Sequence, residues 1–323
     1  MSTPRPVAGA PLVAVTGATG FIGCHLVPAL AAAGWRVRLL LRRDPVVAAW
    51  RGVNPEIVPG SLRDTVALER LVEDADAVIH VAGLIKAARR EAFFDVNRDC
   101  TAALAMIAQR LVPKAHFLHV STIAAREPQL SDYAASKRAG EEQIVKILGP
   151  RATILRPPPV YGPGDRETLL FFQLARLPWV PLLGAPDARA AMIHVADLVQ
   201  LMVALLAAAP QGRVLTAADA RPGGYRWHEV LGTAARAVGN PAPRFVQAPR
   251  SLLRSVALAG DLGRVFGAAN MLSSQKLREL QHRDWSVTAD ALAQPPGWAP
   301  AFDLDSGFAD AVRWYRQAGW LPQ

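Results

Sequence analysis

Tyr133 and Lys137 stand four residues apart in "YAASK", and Ser121 and Thr122 close the stretch "HVST". These are residue types that could move a proton. On a helix, positions i and i+4 share a face, so an ammonium can stand beneath a phenol. A free phenol titrates at about pH 10, and a fixed cation beside it favours phenolate and lowers that value toward neutrality. Tyr133 could then exchange a proton with a hydroxyl or carbonyl at cellular pH. A hydroxyl on the preceding strand, Thr122 or as second choice Ser121, would hold the substrate oxygen near the phenol.

A second chemical feature lies near the start of the chain, where "GATGFIG" follows the apolar run Leu12 to Thr16. Gly17, Gly20 and Gly23 fall where a strand would turn into a helix. Such a turn needs backbone angles that a Cβ forbids, and a phosphate approaches most closely a backbone without side chains. The helix that follows directs unpaired N–H groups and a partial positive charge at that gap, so a pyrophosphate is its natural occupant.

These features need a scaffold, and the rest of the first half reads as one. Strands are predicted near 12–16, 36–41, 77–81, 115–120 and 152–156, with a weaker one at 56–59, and helices near 21–33, 91–110 and 132–148. Asp64 reads as the cap of a further helix. Alternation of this kind predicts βαβ units in a doubly wound parallel sheet, an α/β fold of the Rossmann type. Pro28 falls inside the first helix, where a kink or an early end is expected. After Arg156 the texture changes to "PPPVYGPGD", then to helices near 197–208, 227–238 and 305–318 among irregular segments. The expected division is a dinucleotide-binding domain over 1–156 and a substrate-binding part over 157–323, interleaved with the sheet.

Composition narrows the partners. The 323 residues are 51% hydrophobic, enough for a large core. The longest apolar stretch, Leu198 to Pro210, is too short to span a bilayer, and Met1 to Pro11 lacks the apolar centre of a signal peptide, so a cytoplasmic protein is expected. The two cysteines, Cys24 and Cys100, have neither disulfide nor metal-site spacing, and no metal is expected. The net charge of +9 could favour anionic ligands, but the arginines are scattered with no basic run interleaved with aromatics, which argues against nucleic acid. The expected partner is a small-molecule substrate; a homodimer is open.

The order of "GATGFIG", "VIHVAG" (Val78 to Gly83), "VNRDCT", "VST", "YAASK" and "RPPPVYGPGD" resembles the extended short-chain dehydrogenase/reductase superfamily. The resemblance extends through "MIHVADL", "GWAP" and "WYRQAGWL" over nearly the whole chain. It implies that Thr122 is the catalytic Ser/Thr, Tyr133 the proton-transferring tyrosine and Lys137 the lysine that tunes it and binds the nicotinamide ribose. Asn97 either supports that site or is an amide bonding a neighbouring strand. The cofactor is implied along Gly17, Thr19, Gly20, Phe21, Ile22 and Gly23, along Val81, Ala82 and Gly83, and at Pro157 and Val160, besides Tyr133 and Lys137. Ser61 and the Leu62 backbone would meet the adenine, with Ser61 where the family commonly has an aspartate.

Where relatives that prefer NAD carry an acidic residue, this chain has Leu41 followed by Arg42 and Arg43. A guanidinium cannot accept a bond from the ribose 2′-hydroxyl but pairs well with a 2′-phosphate, which selects NADP(H) over NAD(H). Arg156 is followed by three prolines, unlike sugar-nucleotide enzymes, and "LSSQKLRELQHRDWSV" is similar to a segment of the dihydroflavonol reductase and 3β-hydroxysteroid dehydrogenase-like branch. "LLFFQLARLPWVPLL" (Leu169 to Leu183) is either an apolar pocket wall or core, with Arg176 and Arg189 the nearest candidates to meet a diphosphate. The resulting expectation is an NADP(H)-dependent oxidoreductase interconverting a carbonyl and a secondary alcohol on a small, apolar substrate. The alternatives are a nucleotide-sugar epimerase or dehydratase with tightly held NAD(P), and a cofactor-binding scaffold or assembly factor.

Overall fold

The computed structural model describes residues 9–43, 50–265 and 273–323, apart from the side chains of residues 250 and 262–265. Most of the stretch Met1 to Pro11, and Leu272 of the segment before the last helix, lie outside the described residues. The first half builds the sheet from β1 (Leu12–Thr16), β2 (Arg36–Leu41), β3 (Glu56–Pro59), β4 (Ala77–His80), β5 (His116–Val120) and β6 (Ala152–Arg156). Interleaved with them are α1 (Phe21–Ala32), α2 (Thr65–Val72), α3 (Arg90–Phe94), α4 (Thr101–Leu111) and α5 (Asp132–Leu148). A seventh strand, Val214–Thr216, returns from the second half to pair with β6. All pairs in this sheet are parallel, in the order Val214–Thr216, β6, β5, β4, β1, β2, β3. The chain therefore reverses its winding between β1 and β4, and open α/β sheets bind ligands in the crevice at such a switch point.

The central strands β1, β4 and β5 are buried on both faces, which is why they read as continuous apolar runs. Val13, Val15, Ile79 and Val120 pack under α1 and the helix Val195–Ala207. Ala14, Val78, Phe117 and Ile154 face the opposite layer, meeting Leu68, Leu104 and Ile144 of α2, α4 and α5. A third cluster, centred on Tyr161, Phe172, Phe308 and Tyr315, belongs to the second half. Asp197, buried at the start of its helix, accepts from the amides of Ala301 and Phe302 at 2.9 and 3.0 Å. That ties "MIHVADL" to the chain just after "GWAP".

Two local expectations are corrected. α1 runs unbroken through Pro28 and is not shortened. Between α3 and α4 the expected regular helix is interrupted by a π-helical segment, Asp95–Cys100. The extra residue of a π turn redirects side chains, and Asn97 stands inside it, its carbonyl 2.1 Å from where a Cβ on Gly140 would lie. α5 can approach this closely only because Gly140 has no side chain.

Candidate active site

The site forms where β1, β4 and β5 end. After β1 the chain turns at Gly17, whose φ is +77° and whose missing Cβ would lie 2.5 Å from the Ala82 amide nitrogen. Gly20 caps α1 with no side-chain hydrogen bond, and the first turn of α1 has no acidic residue. A Cβ on Gly23 would lie 2.2 Å from the Gly17 carbonyl. The first and third glycines are thus demanded by the protein's own close approaches, while the second leaves the helix N-terminus bare. This cradle fits the pyrophosphate of a dinucleotide. Thr19 is exposed at its rim, and Phe21 and Ile22 turn partly into the core beneath. Val81 and Ala82 bind back to Thr16, Val81 through the backbone at 3.2 Å and Ala82 through the hydroxyl at 3.4 Å. The chain just after β4 therefore lines the same crevice.

At the end of β2, Arg42 and Arg43 are exposed and, among the described residues, without an ion-pair partner. Ser61 follows β3, its hydroxyl accepting from the Arg63 amide at 3.3 Å, with Leu62 partly buried beside it. Asp64 caps α2 as expected, accepting from the Ala67 amide at 3.0 Å.

The residues expected to move a proton converge at the end of β5. Ser131 caps α5, which carries Tyr133 and Lys137 one turn apart. The Thr122 hydroxyl accepts from the Ala124 amide at 3.3 Å and stands near enough to the Tyr133 phenol to favour its ionised form. Ser121 turns the other way and donates to Glu141, which also holds Arg156 through two bonds. Of the two hydroxyls, Thr122 is the one beside the phenol. Pro157 follows β6 and accepts from the Ile123 amide at 2.9 Å, and Val160 pairs with Ile193.

The expected tuning of the phenol does not occur in this structure. Burial pushes Tyr133 up to about 12, opposed by the Thr122 hydroxyl beside it, and the nearby Glu279 carboxylate raises it further. Lys137 directs its ammonium to the Val120 carbonyl at 2.8 Å. Burial brings that ammonium down to about 8, partly offset by Glu141. The phenol is therefore protonated at neutral pH and poised to donate.

Asn97 is fully occupied. Its Oδ1 accepts from the Leu84 amide at 2.8 Å, and its Nδ2 donates to the Leu84 carbonyl and the Ser136 hydroxyl at 2.9 Å each. The side chain clamps the strand after Gly83 to α5, and a Cβ on Gly83 would stand 3.3 Å from Asn97 Oδ1 and 3.7 Å from Lys137 Nζ.

Several participants escape a sequence reading. Glu141 lies one turn beyond Lys137, and that spacing on α5 is a signal that could have found it. Glu279 is far along the chain, where it accepts from the Ser131 hydroxyl, and no local pattern announces it. His80 and His119 stack beneath the site with centroids 5.2 Å apart, and burial holds both below the usual histidine range.

The segment 169–183 divides. Phe172, Ala175 and Val180 are core, whereas Leu177 and Trp179 face outward. Arg176 and Arg189 are exposed.

Residues 13–218 match the NAD dependent epimerase/dehydratase family. The chain is 46% identical to ceramide reductase of Caulobacter vibrioides, over 97% of this chain and 96% of that protein. It is 30% identical to sterol demethylase protein B of Methylococcus capsulatus, over 95% and 99% respectively. Its fold is similar to UDP-glucuronic acid 4-epimerase from Bacillus cereus, solved with UDP-glucuronic acid and NAD, with a TM-score of 0.71 and 18% identity over 95% of this chain and 99% of that one. No helix of the described residues is long and apolar enough to cross a membrane. The glycine cradle at the switch point, the tyrosine-lysine pair and these matches together make the chain a member of the NAD dependent epimerase/dehydratase family, an NAD(P)-dependent oxidoreductase of the short-chain dehydrogenase/reductase type.

Proposed function

We propose that this protein reduces a ketone on a ceramide-class lipid to the secondary alcohol, with NADP(H) as its preferred carrier. The observation that carries the reading is the 46% identity to a ceramide reductase, sustained over 97% of the chain. Residues 157–323 then form the substrate-side part.

The nicotinamide supplies the hydride when bound; the remaining work belongs to the chain. The cradle at Gly17, Gly20 and Gly23 and the N-terminus of α1 receive the pyrophosphate. Tyr133, neutral at working pH, donates its phenolic proton to the substrate oxygen as negative charge develops there. Thr122, beside that phenol, offers its hydroxyl to the same oxygen. Lys137 holds a positive charge beneath, and its lowered pKa of about 8 allows it to give up a proton and regain one.

NADPH supplied with an N-acylated 3-keto long-chain base in detergent should be oxidised one for one with the ketone, followed at the nicotinamide absorbance. Tight calorimetric binding of UDP-glucose, with no net NADPH oxidation by any ketone, would overturn the reading in favour of an epimerase or dehydratase.

The cofactor preference has its own test. Replacing Arg42 and Arg43 together by alanine is expected to weaken NADP(H) by about 2–4 kcal/mol, from two charged hydrogen bonds with partial overlap, and to leave NAD(H) nearly unchanged. Equal losses for both cofactors would assign the arginines to the fold.

A further inference from the structure

The second half carries an apolar face that nothing in the site explains. The strand Arg244–Gln247 pairs with Trp179–Leu182, and the chain continues through Ala248 into the helix Arg250–Val265. The inner side of that helix, Leu253 and Ala257, packs on Leu183, Ala248 and Leu277. Leu252 and Val256, one turn apart, are exposed along one flank of it and Leu258 along another, and Val246 and Trp179 are exposed on the neighbouring strands. Trp179 is 58% and Leu258 60% exposed, unusual values for side chains of this size.

The charge near this face is mostly basic, with Asp261 further along the same helix accepting from the Ser274 amide at 3.1 Å. Residues 168–186 contain one arginine and no acidic residue, and residues 230–260 contain four arginines and no acidic residue. Arg236 is paired with Asp305, but Arg176, Arg244 and Arg254 are exposed and have no ion-pair partner among the described residues. The Arg244 guanidinium lies over the Trp179 ring, 5.4 Å from its centroid. A tryptophan flanked by arginine, beside a helix with leucine and valine outward, matches the boundary between headgroups and acyl chains, where an amphipathic ring and a cation each find their solvent.

We propose that this face docks on an anionic lipid bilayer and holds the enzyme at the membrane surface without crossing it. The apolar side chains enter the headgroup boundary, and the arginines meet lipid phosphates. Delivery of a lipid substrate from that surface rests on the function proposed above; docking itself does not. One helix separates the face from the chemistry. The helix Ser274–Gln281 packs its Leu277 against Leu253 and Ala257 and places Gln275 and Glu279 on Asp132 and Ser131, the first residues of the Tyr133 helix.

The test is co-sedimentation of the full chain with phosphatidylcholine vesicles, with or without phosphatidylglycerol. The wild type should bind the phosphatidylglycerol vesicles, bind less in high salt, and bind phosphatidylcholine weakly. Trp179→Ala/Leu252→Ser/Val256→Ser should weaken vesicle binding by about tenfold or more, as should Arg244→Gln/Arg254→Gln, with NADPH affinity and turnover of a short-chain, water-soluble ketone unchanged. The proposal is overturned if the wild type ignores anionic vesicles or if the apolar variant binds them as well as the wild type. It is equally overturned if that variant only converts a dimer to monomers, which would make the face a contact between copies. Vesicle binding by a chain that reduces no ketone would leave the docking in place and remove the reductase reading instead.

Discussion

Tyr133→Phe is expected to lower turnover by about 10²–10⁴-fold with NADPH affinity nearly unchanged, because it removes the proton donor and leaves the phosphate cradle and Lys137 in place. The structure sharpens the reason. With the phenol pushed up to about 12 by burial, Tyr133 is protonated at neutral pH, the state that reduction requires of a donor. A phenylalanine ring fills nearly the same space against Phe93 and the neighbouring apolar side chains, which separates chemistry from folding. Single-turnover reduction rates and cofactor titration check this. A variant with most of the wild-type rate would show that the proton comes from another group.

The second large effect concerns stability. Glu141 is 3% and Arg156 14% exposed, and the carboxylate meets the guanidinium with two bonds while accepting from Ser121. Glu141→Leu leaves a guanidinium with almost no water and no partner, at an expected cost of about 3–5 kcal/mol. Glu141→Leu/Arg156→Met removes both charges and should recover most of that loss, since breaking such a pair costs far more than replacing it. Thermal or denaturant melting of the three proteins checks the ordering. A double variant as unstable as the single one would mean that packing, not the stranded charge, is responsible.

What the sequence determined by itself was whatever short-range geometry decides. The strand, glycine and helix order at Leu12–Ala32 follows from residues whose backbone angles and close approaches admit little else, since a Cβ at Gly17 or Gly23 would run into neighbouring backbone. The face shared by Tyr133 and Lys137 follows from helical periodicity, and the α/β class with a parallel sheet follows from alternating apolar runs and helices. Only the tertiary structure decided which hydroxyl meets the phenol. Ser121 and Thr122 are adjacent and chemically alike, and Glu141, brought across from α5, draws one of them away. It also reversed the expected pKa of Tyr133, because burial depends on what covers the ring and Glu279 arrives from a distant helix, while Lys137 turns to a strand carbonyl. The π segment at Asn97 is decided the same way: its benefit, a clamp on Leu84 and Ser136 and a close fit to Gly140, exists only once α5 is in place. Pairing, burial and charge compensation join residues far apart in sequence, and no local pattern encodes them.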